Sequence, residues 1–235
     1  RKIWLSNTPH VLTETTADLA FTLLLSAARK VPFLDHWTKQ GEWKRTVGPQ
    51  QFGLDVFGKT LGIIGLGNIG AAIARRGFYG FNMNIVYHNR REKPELAEPL
   101  NAQYLGLNQL LQQSDFVVTA VDLNNESKAL MGKAQFELMQ QHAIFINIAR
   151  GSVVDEQALT EALQQNQIFA AGLDVYEKEP LQDSALFKLP NVVTLPHVGS
   201  ATAETRKKMA NLAYKNLVEA LEDKTPRYLV NPNFI

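Results

Sequence analysis

The segment Thr60–Gly70 reads Thr-Leu-Gly-Ile-Ile-Gly-Leu-Gly-Asn-Ile-Gly, an apolar run that breaks into glycines at 65, 67 and 70. The spacing is G-x-G-x-x-G. Each glycine has its own steric job in a strand-to-helix turn. Gly65 permits the tight turn, Gly67 lets a pyrophosphate approach the backbone, and Gly70 lets the helix pack close to the strand. Free N–H groups and the helix dipole at such a turn attract phosphate, so the amides around Asn68 and Ile69 are candidate contacts too. A glycine-rich turn with no ligand can carry the same string. The surroundings decide for the dinucleotide. A β-type run precedes the glycines, a helical run follows, and a second strand ends near His88, at about the distance such a unit requires.

The rest of the chain continues that alternation. Strands are expected at Asn84–His88, Phe116–Ala120, Ala143–Ile148, Ala170–Asp174 and Val192–Leu195. Helices are expected over 68–80, 107–113, 133–140, 155–165 and from Ala203 to about Asp223. Short apolar strands between helices imply a Rossmann-type α/β fold, a doubly wound parallel sheet covered on both faces. Before it, residues 3–7 suggest a short strand, and Ala17–Lys30 has helical apolar spacing with Thr13 as N-cap. Residues 31–57 suggest a short helix and a loop, and the tail from Arg227 is expected to be extended.

The end of the second strand bears on the cofactor. Units that bind NAD usually place a carboxylate there for the ribose hydroxyls. Here the sequence is Val86-Tyr-His-Asn89-Arg90-Arg91, with no acid and two arginines. A carboxylate would repel a 2′-phosphate, whereas a guanidinium grips it bidentately. Asn89, Arg90 and Arg91 therefore favour NADP(H) over NAD(H), although either arginine alone could be a solvated loop charge.

Ligands of an open α/β sheet sit at the carboxyl ends of its strands. Val121, Ala149 with Arg150, Asp174, and His197 with Gly199 all fall at such ends and join the candidate cofactor contacts. Three of these segments also carry chemistry. Reduction of a ketone by hydride leaves charge on oxygen, and His197 suits the proton donor. Glu179 is the candidate to orient its ring, and Arg150 to polarise the carbonyl and bind a neighbouring carboxylate. Singly, each has a plainer reading as a loop histidine, a turn residue or a salt-bridge partner. Their shared position at strand ends of one sheet favours the site. Asp174 either meets the nicotinamide ribose or caps a turn.

Composition sets outer limits. A net charge of +1 gives no basic surface for nucleic acid, and no apolar run is long enough for a bilayer. Cysteine is absent, which excludes thiolate metal sites and a cysteine nucleophile and is compatible with a cytoplasmic location. No metal site is expected.

Taken together, Asn7–Asp18, Gly65–Gly70, Asn147–Gly151, Gly172–Pro180 and Pro196–Thr202 resemble the D-isomer-specific 2-hydroxyacid dehydrogenases. The likeness is closest to the bacterial glyoxylate/hydroxypyruvate reductases that also act as 2-ketogluconate (2-ketoaldonate) reductases. The resemblance implies an Arg–Glu–His catalytic set at Arg150, Glu179 and His197, and an Asn89-Arg90-Arg91 loop like that of the NADPH-using branch. It implies a small 2-oxo acid substrate and a homodimer formed through Val11–Lys30, with Leu19, Phe21, Leu23, Leu24 and Leu25 buried against a twofold partner; the plainer alternative is that this helix packs only on its own domain. It also implies two domains. Residues 1–10 would be the last piece of a flavodoxin-like substrate domain, 11–198 the dinucleotide-binding domain, and 199–235 a helix and tail returning to the first. Most of the substrate domain would then be missing from the chain. Two other readings are open: a non-catalytic nucleotide-sensing module like the corepressors that share this fold, and an NAD-dependent D-lactate, phosphoglycerate or formate dehydrogenase. A cleft lacking one wall orients and desolvates substrate badly. The 235-residue chain is accordingly expected to bind NADP(H) and turn over poorly. Steady-state assays with glyoxylate or 2-ketogluconate check this, and turnover comparable with a full-length relative would refute it.

Overall fold

The computed structural model describes residues 3–232, so the ends of the expected 1–10 and 199–235 segments lie outside the described residues. Its centre is a seven-stranded, wholly parallel sheet in the order β3-β2-β1-β4-β5-β6-β7. The strands are β1 (Thr60–Ile64), β2 (Asn84–His88), β3 (Gln103–Tyr104), β4 (Phe116–Thr119), β5 (Ile144–Asn147), β6 (Ala170–Leu173) and β7 (Val192–Thr194). β4, β5 and β6 are buried along their whole length, as their mostly apolar sequences require. The chain runs outward from β1 to β3, then restarts at β4 on the other side of β1. That reversal opens a crevice at the carboxyl ends of β1 and β4.

The helices are α1 (Thr13–Ala28), α2 (Val31–Lys39), α3 (Asn68–Phe81), α4 (Pro94–Ala97), α5 (Leu107–Gln113), α6 (Lys133–Leu138), α7 (Glu156–Gln164) and α8 (Ala203–Leu221). α1 and α3 cover one face of the sheet, with Leu23, Leu24, Ile73, Ile63 and Ile146 in one cluster. α5, α6 and α7 cover the other, around Leu110, Phe136, Leu159, Val117 and Phe145. Salt bridges from Arg75 to Glu14, and from Arg76 to Glu14 and Asp18, clamp α1 to α3 along their exposed edges.

Four expectations need revision. β3 is an additional strand of two residues, too short to leave a pattern in the sequence. Residues 3–7 form no strand; Ser6 makes an isolated antiparallel bridge to Leu229. Thr13 is the first residue of α1 rather than its cap, and Leu12 occupies the cap position with no side-chain hydrogen bond. The apolar face of α1 turns inward. Phe21 (6% exposed), Leu23 and Leu24 (both 0%) belong to this chain's own core, so their burial needs no partner. Leu19 and Leu25 alone of the five keep partial exposure.

The two ends of the described chain meet. The Asn7 N–H donates to the Tyr228 carbonyl (3.2 Å) and the Val230 N–H to the Leu5 carbonyl (2.7 Å). The Asn216 side chain of α8 donates to the Asn7 carbonyl at 3.0 Å.

Candidate active site

The glycine turn has the form its sequence demands. Gly65 adopts φ +102°, and a Cβ there would lie 2.6 Å from the Ala120 carbonyl. A Cβ on Gly67, by contrast, would meet nothing within 4 Å. That residue faces open space at the start of α3, where a pyrophosphate needs backbone contact. The cleft beside it, of about 250 Å³, is lined by Gly65, Gly67, Asn89, Arg90, Val121 and Glu126 among others. Asn68 stands exposed at the first turn of α3, its side-chain amide 3.2 Å from Nδ1 of His10. Ile69 turns its side chain into the core, which leaves only its amide for a ligand.

Asn89 does more than line this cleft. Its Oδ1 accepts the Leu66 N–H at 2.6 Å, and its Nδ2 donates to the Leu66 carbonyl at 3.2 Å. The side chain thus holds the glycine turn from below. Arg90 meets Glu126, from the loop after β4, at 3.0 Å. Arg91 is exposed beside it. The Glu126 partnership leaves no trace in the sequence, because it joins two surface loops across the cleft.

At the other side of the crevice the loops after β5, β6 and β7 converge. Buried Asn147 orders the first of them. It receives the Thr119 hydroxyl (2.8 Å) and the Ala149 N–H (3.1 Å) at Oδ1, and donates from Nδ2 to the Arg150 carbonyl (3.2 Å). Ala149 lies buried under this turn. Arg150 projects outward, exposed, with one N–H on the Ala149 carbonyl at 2.6 Å. Gly151 then lies directly against the backbone of Tyr176 and Glu177, where even a methyl group would overlap.

That contact seats the loop carrying Glu179. Its Oε1 accepts the Tyr176 N–H at 3.0 Å, and its Oε2 receives Nδ1 of His197 at 2.6 Å. Burial pushes the Glu179 carboxyl up, but the bonds from His197 and the Tyr176 amide, with the positive charges of His197 and Arg150, outweigh it and hold the group below the usual 4.5. Tyr176 bridges to the third loop, its hydroxyl donating to the Leu195 carbonyl at 2.9 Å. Burial, aided by the negative charge of Asp174, pushes that hydroxyl up to about 12, so it stays a donor.

His197 sits at φ +53°, a left-handed conformation uncommon for a side chain of its size. Asp174 holds it there. Only 2% exposed, Asp174 accepts the Val198 N–H (2.7 Å) and the Gly199 N–H (2.8 Å), one on each oxygen. Burial outweighs these two bonds and raises its pKa. Of its two expected roles, the structure displays the capped turn. Gly199 is buried, its carbonyl accepting the Thr16 hydroxyl at 3.1 Å. A second cavity of about 460 Å³ adjoins the dyad, lined by Tyr176, Glu179, Leu181, Phe187, Leu195 and His197.

The sequence model described as "D-isomer specific 2-hydroxyacid dehydrogenase, NAD binding domain" matches residues 21–199. The chain belongs to that family. It is therefore an oxidoreductase of the D-2-hydroxyacid dehydrogenase type, with a nicotinamide dinucleotide as cofactor. It is 52% identical over 234 residues to glyoxylate/hydroxypyruvate reductase B of Enterobacter sp. (strain 638), covering 99% of this chain and 72% of the relative. Among solved structures, the TT0316 protein from Thermus thermophilus has a TM-score of 0.90 at 42% identity, with 97% of this chain and 71% of that one covered. The NADPH-dependent glyoxylate/hydroxypyruvate reductase of Sinorhizobium meliloti, solved with NADP and malonate, has a TM-score of 0.88 at 37% identity, covering 97% and 70%. Among the described residues, no group of side chains could hold a metal ion, and no helix is long and apolar enough to cross a membrane.

The lowered pKa of Glu179 has a sign that can be checked. The pairing stabilises the fold above the ordinary glutamate value and is lost as pH falls through the lowered one. A ¹³C NMR titration of the Glu179 carboxyl is expected to give a midpoint below 4.5, rising when His197 is replaced by Ala. A wild-type midpoint at or above 4.5 would contradict the pairing.

Proposed function

We propose that the chain reduces small 2-oxo acids (glyoxylate, hydroxypyruvate and 2-ketogluconate) to D-2-hydroxy acids with NADPH, and that His197 is the proton donor. The observation that carries this reading is the 2.6 Å contact between His197 Nδ1 and Glu179, in a loop seated against the one that bears Arg150. With Nδ1 turned to the carboxylate, Nε2 is the nitrogen left to hold a proton for the substrate oxygen. Glu179 fixes the orientation of the ring. Arg150 spends one N–H on Ala149 and offers the remaining edge of its guanidinium to the substrate carboxylate and the carbonyl beside it. When bound, the dihydronicotinamide supplies the hydride. The relatives named as glyoxylate/hydroxypyruvate reductases support the substrate class. An oriented Arg–Glu–His set also weighs against a purely nucleotide-sensing role.

The open backbone at Gly67 and the guanidinium groups of Arg90 and Arg91 suit a dinucleotide with a 2′-phosphate. NAD(H) is the second cofactor to be compared. Residues 11–198 form the dinucleotide-binding unit in this reading, and the pairing of residues 5–7 with 228–230 supports assigning both ends to a second unit. Dimerisation through Val11–Lys30 belongs to the same proposal. It would use Leu19, Leu25 and the exposed Val31 and Trp43 of the following stretch. Sedimentation at twice the 26.3 kDa chain mass is the expected result, and a single 26.3 kDa species would refute it.

His197→Ala is expected to lower kcat by roughly 10²–10⁴-fold with glyoxylate and NADPH, a much larger effect than on NADPH binding. Arg150→Ala should raise KM for the 2-oxo acid as well as lower kcat. Wild-type kinetics should favour NADPH over NADH. An unaltered kcat in His197→Ala would remove it as donor, and tighter NADH binding would overturn the cofactor assignment.

A further inference from the structure

Arg90 is engaged. Its guanidinium lies 3.0 Å from Glu126 Oε2, and the pair joins the end of β2 to the loop after β4. Both residues line the cleft beside the glycine turn, so the pair spans that cleft rather than lying on a remote surface. Asp122, from the same loop as Glu126, lines it too. The wall facing Arg90 therefore carries two carboxylates. Glu126 is also held in place: its own N–H donates to Asn124 Oδ1 at 2.8 Å, and the Ser127 hydroxyl donates to the Asp122 carbonyl at 2.7 Å. The loop backbone that carries Glu126 is thus fixed.

We infer that Glu126 is a cofactor-selectivity residue, an internal carboxylate that competes with the 2′-phosphate of NADP for Arg90. The inference rests on the NADP reading above. The side chains of Arg90 and Glu126 are 78% and 69% exposed, so water screens their attraction. A 2′-phosphate carries more charge than a carboxylate and offers more acceptor oxygens. It displaces Glu126 from Arg90, and the carboxylate turns to solvent. The exchange has a cost that 2′-hydroxyl cofactors do not meet. Glu126 thereby narrows the preference for NADP over NAD that Arg90 and Arg91 create.

Glu126→Gln keeps the size and polarity of the side chain and removes its charge. The test is calorimetric titration of the whole chain with adenosine 2′,5′-bisphosphate and with 5′-AMP, which differ by the 2′-phosphate alone. The variant is expected to bind the bisphosphate roughly two- to fivefold more tightly, the range for an exposed ion pair, with 5′-AMP unchanged. The gain should vanish in the Arg90→Gln/Glu126→Gln double variant. A wild type that prefers the bisphosphate, with no gain in Glu126→Gln, overturns this inference and leaves the NADP reading standing. A gain that survives without Arg90 also overturns it, since the charge would then act at a distance. A wild type with no preference defeats the NADP reading; the inference falls with it unless Glu126→Gln alone creates the preference, in which case it stands.

Discussion

Two loops of this chain touch backbone to backbone, and the geometry of the candidate site depends on that contact. Gly151, following β5, lies so close to Tyr176 and Glu177, following β6, that no side chain can stand between them. Arg150 and Glu179 are separated by 28 residues of sequence. They face one centre because their loops are pressed together at this point. Asn147 shapes one partner from beneath, and the Tyr176 hydroxyl ties the other to the carbonyl of Leu195. The His197 turn is fixed in the same way, by a buried carboxylate that takes two consecutive amides. The reactive side chains are exposed, but the groups that aim them are not. Mobility of the reactive groups is thereby restricted to a few side-chain torsions.

The sheet explains why the residues of the candidate site could be located along the sequence. In a parallel sheet every strand delivers its last residues to the same edge. Locating the strands therefore located Arg150, Asp174 and His197. The glycine turn was equally legible, since φ +102° at Gly65 and the close helix at Gly70 admit little else. What resisted was the choice of partner. The apolar spacing of α1 marked a buried face without saying what buries it, and Phe21, Leu23 and Leu24 proved to cover this chain's own sheet. An asparagine after a strand can serve a ribose or a neighbouring turn, and Asn89 holds the turn. Glu126 belongs to no periodic element, so nothing in its neighbourhood along the chain announced Arg90. Sequence patterns report the environment of an element; pairings between surface loops are set by the fold as a whole.

The electrostatics of the crevice follow the same division. On the reactive side, opposite charges are grouped so that Glu179 stays ionised beside His197 and Arg150. Beside the glycine turn, Arg90 meets a carboxylate of the loop after β4. The first arrangement is less exposed than the second. The second is open to water, so it is the part of the site most easily retuned by single substitutions.

The hold of Asn89 on Leu66 carries a kinetic consequence. Both polar atoms of one side chain clamp the phosphate-facing turn in its working shape. A dinucleotide meeting such a turn finds the amides already aligned and spends none of its interaction energy on ordering them. Arrival is then governed by diffusion and charge rather than by a rearranging loop. Release is governed by how many of those ready-made bonds must break at once. The turn is thereby held as a fixed socket.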